Sequence, residues 1–142
     1  MAETDLLHSE LTREIIGAAM EVHKTFGCGF LESVYEEALA IEFNLRKISY
    51  ERQKGINIEY KGFLAKQFIC DFLVGQKVLV ELKAIKAITG VEEAQLLNYL
   101  KATGIEIGLL INFGEQSLRY KRLVLQKQKA TVDKMELNET AD

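Results

Sequence analysis

The chain has 142 residues, 48% of them apolar and 27% charged, which suits one closed hydrophobic core and is too apolar for general disorder. Its formal net charge of −3 argues against a protein that coats polyanions over its whole surface. No apolar run approaches the roughly 18 residues that a membrane-spanning helix needs, so no membrane partner is expected.

The amino terminus, MAETDLLHSE, is acidic and has no apolar segment, so a cytoplasmic location is expected. From Ser9 to about Phe26, Leu11, Ile15, Ala19, Val22 and Phe26 recur at helical spacing and form one amphipathic stripe. Gly27-Cys28-Gly29 ends that helix. A second helix is predicted from about Leu31 to Arg46, with Val34, Ala38, Ile41 and Leu45 on its apolar face. The period then changes. Ile56, Ile58 and Tyr60 alternate with Asn57 and Glu59, a strand closed by the turn Lys61-Gly62.

Phe63 to Val74 and Lys77 to Ala84 read as two further strands around Gly75-Gln76. Both are apolar on both faces, so both belong in the middle of a covered sheet. Phe68, Cys70, Phe72, Val78, Val80 and Leu82 are expected on one face, and Ile69, Leu73 and Leu79 on the other. Thr89-Gly90-Val91-Glu92 has the spacing of a capping box and opens a third helix that stops near Gly104. Ile105 to Asn112 is an apolar run of strand length, and Leu118 to Leu125 a more basic one. The helix between the third and fourth strands makes that strand pair parallel. The expected fold is α/β: an α/β/α sandwich on a central mixed sheet, in the order α-α-β-β-β-α-β with a final strand. It forms a single domain over residues 1–125, followed by a polar tail over 126–142.

Three charges fall where a buried sheet should have none. Asp71 lies within FICDFLV, and Glu81 and Lys83 lie within VLVELKAI. Carboxylates are depleted from strand interiors, because burying one without a partner is costly. Glu81 and Lys83 are two residues apart and share a face. Whether Asp71 joins them depends on the parity of the turn. A two-residue turn at Gly75-Gln76 pairs Asp71 with Val80 and points the two carboxylates to opposite sides. A connection one residue longer pairs Asp71 with Glu81. The cost of burying two carboxylates separately favours the second register, which is the expectation adopted. Two carboxylates so placed suit a hard divalent cation such as Mg²⁺, with Lys83 beside it.

On the third helix Gln95 and Tyr99 share a face, offering an amide and a phenol to a phosphate or a bound water. On the second, Glu32, Tyr35 and Glu36 fall together. Glu32 could add an oxygen to a cation shell, and Glu36 has the spacing of a capping partner for Ser33. Cys28 and Cys70 make no metal pair or disulfide framework and read as packing residues. Arg119, Lys121 and Arg122 read as solvated edge charge, with a grip on a DNA backbone as the sharper alternative.

Asp71 followed by Glu81-Leu82-Lys83 resembles the PD-(D/E)XK nuclease pattern, and Gln95-Leu96-Leu97-Asn98-Tyr99 resembles the QxxxY motif of its exonuclease branch. Gly29-Phe30-Leu31-Glu32-Ser33-Val34-Tyr35 is similar to the motif that names the GxxExxY proteins of the same superfamily. The resemblance implies a restriction-endonuclease-like sandwich that cleaves DNA phosphodiesters with Mg²⁺, or Mn²⁺ as a substitute. It implies Glu32, Asp71, Glu81 and the backbone carbonyl of Leu82 as metal ligands, Lys83 acting on water, and Gln95 and Tyr99 supporting the site. By the same analogy a homodimer would serve to cut both strands. The competing reading is a catalytically silent module that keeps the fold to bind protein or nucleic acid.

Overall fold

A computed structural model of the chain describes residues 7–126. The polar tail, apart from Gln126, lies outside the described residues. The elements are α1 (Ser9–Phe26), α2 (Glu32–Leu45), β1 (Tyr50–Tyr60), β2 (Phe63–Val74), β3 (Val78–Lys83), α3 (Gly90–Thr103), β4 (Ile107–Asn112) and β5 (Arg119–Val124). The strands form one mixed sheet in the order β1-β2-β3-β4-β5. β3 and β4 run parallel through the α3 crossover, and the other neighbouring pairs are antiparallel. Among the described residues no helix is long and apolar enough to cross a membrane.

The sheet is covered on both faces. On one side α1 and α2 contribute Ile15, Ala19, Val22, Tyr35, Leu39 and Phe43 against Phe72, Val80, Leu109 and Ile111. On the other, Leu96, Tyr99 and Leu100 of α3 pack against Ile56, Cys70, Leu73, Leu79 and Leu110. This is the α/β/α sandwich the sequence predicts. α3 starts on the expected cap: the Thr89 N–H donates to Glu92 Oε1 at 2.6 Å, and the Val91 N–H donates to the Thr89 hydroxyl at 3.2 Å.

The face of α2 differs from the predicted one. Tyr35, Leu39, Ala40 and Phe43 are buried, whereas Ile41 and Leu45 are exposed. Its two aromatic rings, with Leu39 between them, take the core on the side of the helix opposite the aliphatic stripe. Tyr35 is fixed at its polar end too. Its hydroxyl donates to the Gly27 carbonyl at 2.6 Å and accepts from the Phe30 N–H at 3.2 Å. It thereby ties down the loop that leads into Glu32.

The faces of β2 also differ. Val78, Val80 and Leu82 lie on the α1/α2 side together with Phe72, but Cys70 and Phe68 lie on the α3 side with Leu73. Alternation thus reverses between Cys70 and Phe72. β1 reverses with it: Tyr50 packs on the α1/α2 side and Ile56 on the other. Between them Gln53 adopts a left-handed backbone, φ 53°. Beyond this point the β1–β2 hairpin leaves the body of the sheet, and residues 59–67 are exposed on both strands.

Candidate active site

The β2–β3 connection decides the arrangement. Gly75 and Gln76 both take positive φ, 59° and 61°, and the Lys77 N–H closes the turn on the Val74 carbonyl at 3.0 Å. Lys77 is then the extra residue, so Val74 pairs with Val78 and Phe72 with Val80. Asp71 and Glu81 come next and fall opposite each other. The converged register is the one present.

The ladder stops at Phe72 and Val80, and the carboxylates take over its role. The Asp71 N–H donates to Glu81 Oε1 at 3.2 Å, and the Leu82 N–H donates to Asp71 Oδ2 at 2.7 Å. Each acid therefore satisfies a backbone donor that the parting strands leave behind. One oxygen of each carboxylate is committed in this way, and the other accepts no backbone hydrogen.

Both acids resist ionisation. Burial, then the Glu81 charge, pushes Asp71 up to about 8, although the Leu82 N–H works the other way. Burial also raises Glu81, opposed by the Asp71 N–H and by the Lys83 ammonium. Lys83 is half-buried two residues along β3 from Glu81, and its charge is within electrostatic reach of both Glu81 and Glu32. Tyr99, 3% exposed, has its ring 5.6 Å from that of Phe68. Burial and then the Glu81 charge raise its phenol to about 12, so it keeps its proton at neutral pH.

The remaining residues are arranged more loosely. Glu32 stands exposed at the first turn of α2, held above the usual carboxylate range by partial loss of water, with Lys83 pulling it down. It lies within electrostatic reach of Asp71. Among the described residues, however, no three His, Cys, Asp or Glu side chains gather closely enough to hold a metal. Glu36 does not cap Ser33. It accepts from Arg52 at 2.7 Å and from the Gln53 amide at 2.9 Å. Gln95 is half-buried one turn before Tyr99, and its side-chain amide takes no hydrogen bond among the described residues.

The donor set itself indicates what fits. Two hard oxygen ligands beside an ammonium suit a cation of the Mg²⁺ type rather than a soft metal. Cys70 is no competitor: burial pushes its thiol up, and it donates to the Val80 carbonyl at 3.4 Å. Cys28 is exposed, contrary to its reading as a packing residue.

Over residues 9–123 the sequence matches the PD-(D/E)XK nuclease superfamily. The chain belongs to that superfamily. It is therefore a nuclease-type domain, of a superfamily whose members generally use divalent metals and act on nucleic acids. Among solved structures it is similar to the protein SSO0001, with a TM-score of 0.54 and 14% identity, over 87% of this chain and 63% of that one. An alkaline exonuclease from Laribacter hongkongensis aligns with a TM-score of 0.47 and 16% identity, over 77% of this chain and 62% of the exonuclease. The chain thus spans less than two thirds of either protein, and at such identities the first likeness bears on fold alone. Comparison with curated protein sequences gives no match.

Three contributors are not legible in the sequence. Arg52 and Gln53 lie in a charged stretch with no strand alternation, which gives no signal. Asn112, fully buried, is the third. Its amide accepts from Ile85 N–H at 3.0 Å and donates to Ile85 O at 2.9 Å. The Phe113 N–H donates to the Lys83 carbonyl at 2.8 Å. The segment that follows Lys83 is therefore pinned to the end of β4. An asparagine closing a run of buried aliphatics was the available clue.

Proposed function

We propose that this domain is a Mg²⁺-dependent nuclease that hydrolyses DNA phosphodiester bonds. The observation that carries the reading is the mutual lock of Asp71 and Glu81 beside Lys83, at the point where β2 and β3 part. Asp71 and Glu81 would hold the cation, with the Leu82 carbonyl and Glu32 as further oxygens and Mn²⁺ as a substitute ion. Such an ion lowers the pKa of a bound water and offsets charge on a phosphoryl group. Lys83 places a positive charge where negative charge develops on the phosphate. Tyr99, protonated, and Gln95 offer hydrogen bonds to phosphate oxygens. The Gly29–Tyr35 motif supports a place among the GxxExxY proteins, since Tyr35 fixes the loop that presents Glu32. A single domain over 1–125, a cytoplasmic location and a homodimer complete the proposal.

The test is cleavage of single- and double-stranded DNA by the full chain with Mg²⁺ or Mn²⁺. Glu81→Ala and Lys83→Ala are each expected to lower the rate by about a hundredfold or more. A folded wild-type protein that cuts neither DNA nor RNA with either ion would overturn the reading. A second reading draws on the absence of a three-carboxylate cluster among the described residues: a silent module that binds nucleic acid or protein. Binding that survives Asp71→Ala, with no cleavage by the wild type, would favour it.

A further inference from the structure

β2 runs from Phe63 to Val74, yet it pairs with β3 only through Phe72, Leu73 and Val74. From Asp71 outward its inner edge is open, and β1 alone accompanies it. The result is a two-stranded ribbon that leaves the sheet at the carboxylate pair. Lys66 lies about 17 Å beyond Asp71 and Phe63 about 27 Å, at ~3.4 Å per residue. The tip is the tight turn Lys61-Gly62, both with positive φ, 51° and 84°. It sets Tyr60 directly opposite Phe63, so both rings stand on one face. Tyr60 is 66% exposed and Phe63 77%. Beside them, Lys61 and Lys66 form no ion pair among the described residues; their ammonium groups lie over the rings of Tyr60 and Phe68, at 5.3 and 5.7 Å.

Over residues 59–67 both faces of the ribbon are in water, and such a segment needs a reason to keep large rings exposed. Exposed rings alternating with unpaired lysines are what an unpaired nucleic-acid strand requires: π-faces for its bases and cations for its phosphates. A second copy of the chain fits less well. In a two-fold pair each copy would present Lys61 and Lys66 at this edge, and such edge charge resists strand pairing. We infer that the tip of this ribbon, residues 59–67, is a DNA-holding arm: it stacks unpaired bases on Tyr60 and Phe63 and contacts phosphates through Lys61 and Lys66. This inference rests on the nuclease reading for the direction in which the strand runs toward Asp71 and Glu81.

The experiment measures binding of a fluorescein-labelled single-stranded oligonucleotide to the full chain by anisotropy, in EDTA, as salt is varied. Tyr60→Ala/Phe63→Ala is expected to weaken binding about tenfold or more. Lys61→Asn/Lys66→Gln is expected to flatten the log–log salt slope by about 1.4; Asn tolerates the left-handed backbone at 61. All four positions are exposed, so thermal unfolding should not change, and Lys66→Arg should bind like the wild type. Ribbon variants that bind as tightly as the wild type would overturn the inference, even where the wild type cuts DNA. Loss of binding in a protein that cuts nothing would uphold the arm and sink the nuclease reading. If the ring variant instead turns a dimer into a monomer with DNA affinity unchanged, the ribbon is a subunit interface and the inference fails.

Discussion

Gln53 and Asp71 face each other across the β1–β2 ladder, which pairs Arg52 with Phe72 and Lys54 with Cys70 but omits the residues between. Gln53 is left-handed there, and both strands exchange their buried faces at this step. The exchange has a use: Phe72 stays in the α1/α2 core and Cys70 in the α3 core, while Asp71 remains free to turn toward Glu81. The Gln53 amide, bonded to Glu36, holds the step in place. A left-handed backbone is costly for a residue with a Cβ, and most costly for a β-branched one. Gln53→Gly should therefore be more stable than Gln53→Val by about 1–2 kcal/mol in chemical denaturation. Gln53→Val should also lose cleavage, through displacement of Asp71. Equal stability of the two variants would show that the step is not held by Gln53.

The second prediction concerns pH. The folded pKa of Asp71 is about 8, against an ordinary value of 3.8. The folded state therefore binds more protons than the unfolded state between these limits, and stability contributed here falls as pH rises from about 4 to about 8. Asp71→Asn keeps an oxygen for the Leu82 N–H and removes the charge. In EDTA the melting temperature of the wild type should drop relative to Asp71→Asn across that window and run parallel above it. Added Mg²⁺ should raise the wild type at pH 8 and leave the variant nearly unchanged. A wild type that gains on the variant as pH rises would refute the burial argument.

Much of this was legible in the sequence because the relevant signals are local. The capping box at Thr89, the turn at Lys61-Gly62 and the interrupted apolar runs around Asp71 and Glu81 each have a short-range physical cause. The register was legible only by weighing a cost. Nothing in the hydrophobic pattern of two doubly covered strands separates a two-residue turn from a three-residue one, whereas separated buried carboxylates would be expensive. What stayed hidden depends on long-range packing. Ile41 and Leu45 look like core and are exposed, because the opposite side of α2, with Tyr35 and Phe43, faces the sheet. The face exchange at Gln53 breaks the period on which face assignment relies. The amino-terminal half of β1, Tyr50–Gly55, is an outer strand whose polar residues reach Glu36 and Glu37 instead of a core. Arg119 and Lys121 pair internally with Glu115 and Glu93, at 3.6 and 3.1 Å, which favours the structural reading of that basic strand.

Tyr35 gives a third prediction. Its ring stacks on Phe113 with centroids 4.7 Å apart, and its hydroxyl serves both Gly27 and Phe30. Tyr35→Phe keeps the stack and removes both hydrogen bonds, at a cost of about 1–3 kcal/mol. Because those bonds hold the loop before Glu32, the Phe30 amide should exchange faster in the variant than global unfolding explains. Unchanged exchange at Phe30 would mean that the loop is held by other contacts.

The last prediction separates two ways of disturbing the segment after Lys83. Asn112 is buried and bonded to Ile85 on both sides, to Glu115 at 2.9 Å, and to the Gly114 N–H at 3.0 Å. Asn112→Leu matches its size but orphans the Ile85 N–H and carbonyl, at a cost of about 2–4 kcal/mol. At Gly114 the obstacle is steric: a Cβ there would lie 2.2 Å from the Ile85 carbonyl oxygen and 2.4 Å from its nitrogen. Both neighbours are backbone, so Gly114→Ala has to push the Ala84–Ile85 segment away. Asn112→Asp keeps an acceptor for the Ile85 N–H but sets a buried carboxylate against the Ile85 carbonyl and Glu115, so at neutral pH it should be destabilised at least as much as Asn112→Leu. Urea denaturation should therefore place both Asn112 variants well below the wild type, with Gly114→Ala destabilised through a different route. Lys83 is next to the displaced segment, so Gly114→Ala should also lose DNA cleavage under conditions where it remains folded. Full activity in a folded Gly114→Ala protein would show that Lys83 is held by β3 alone and does not depend on this junction.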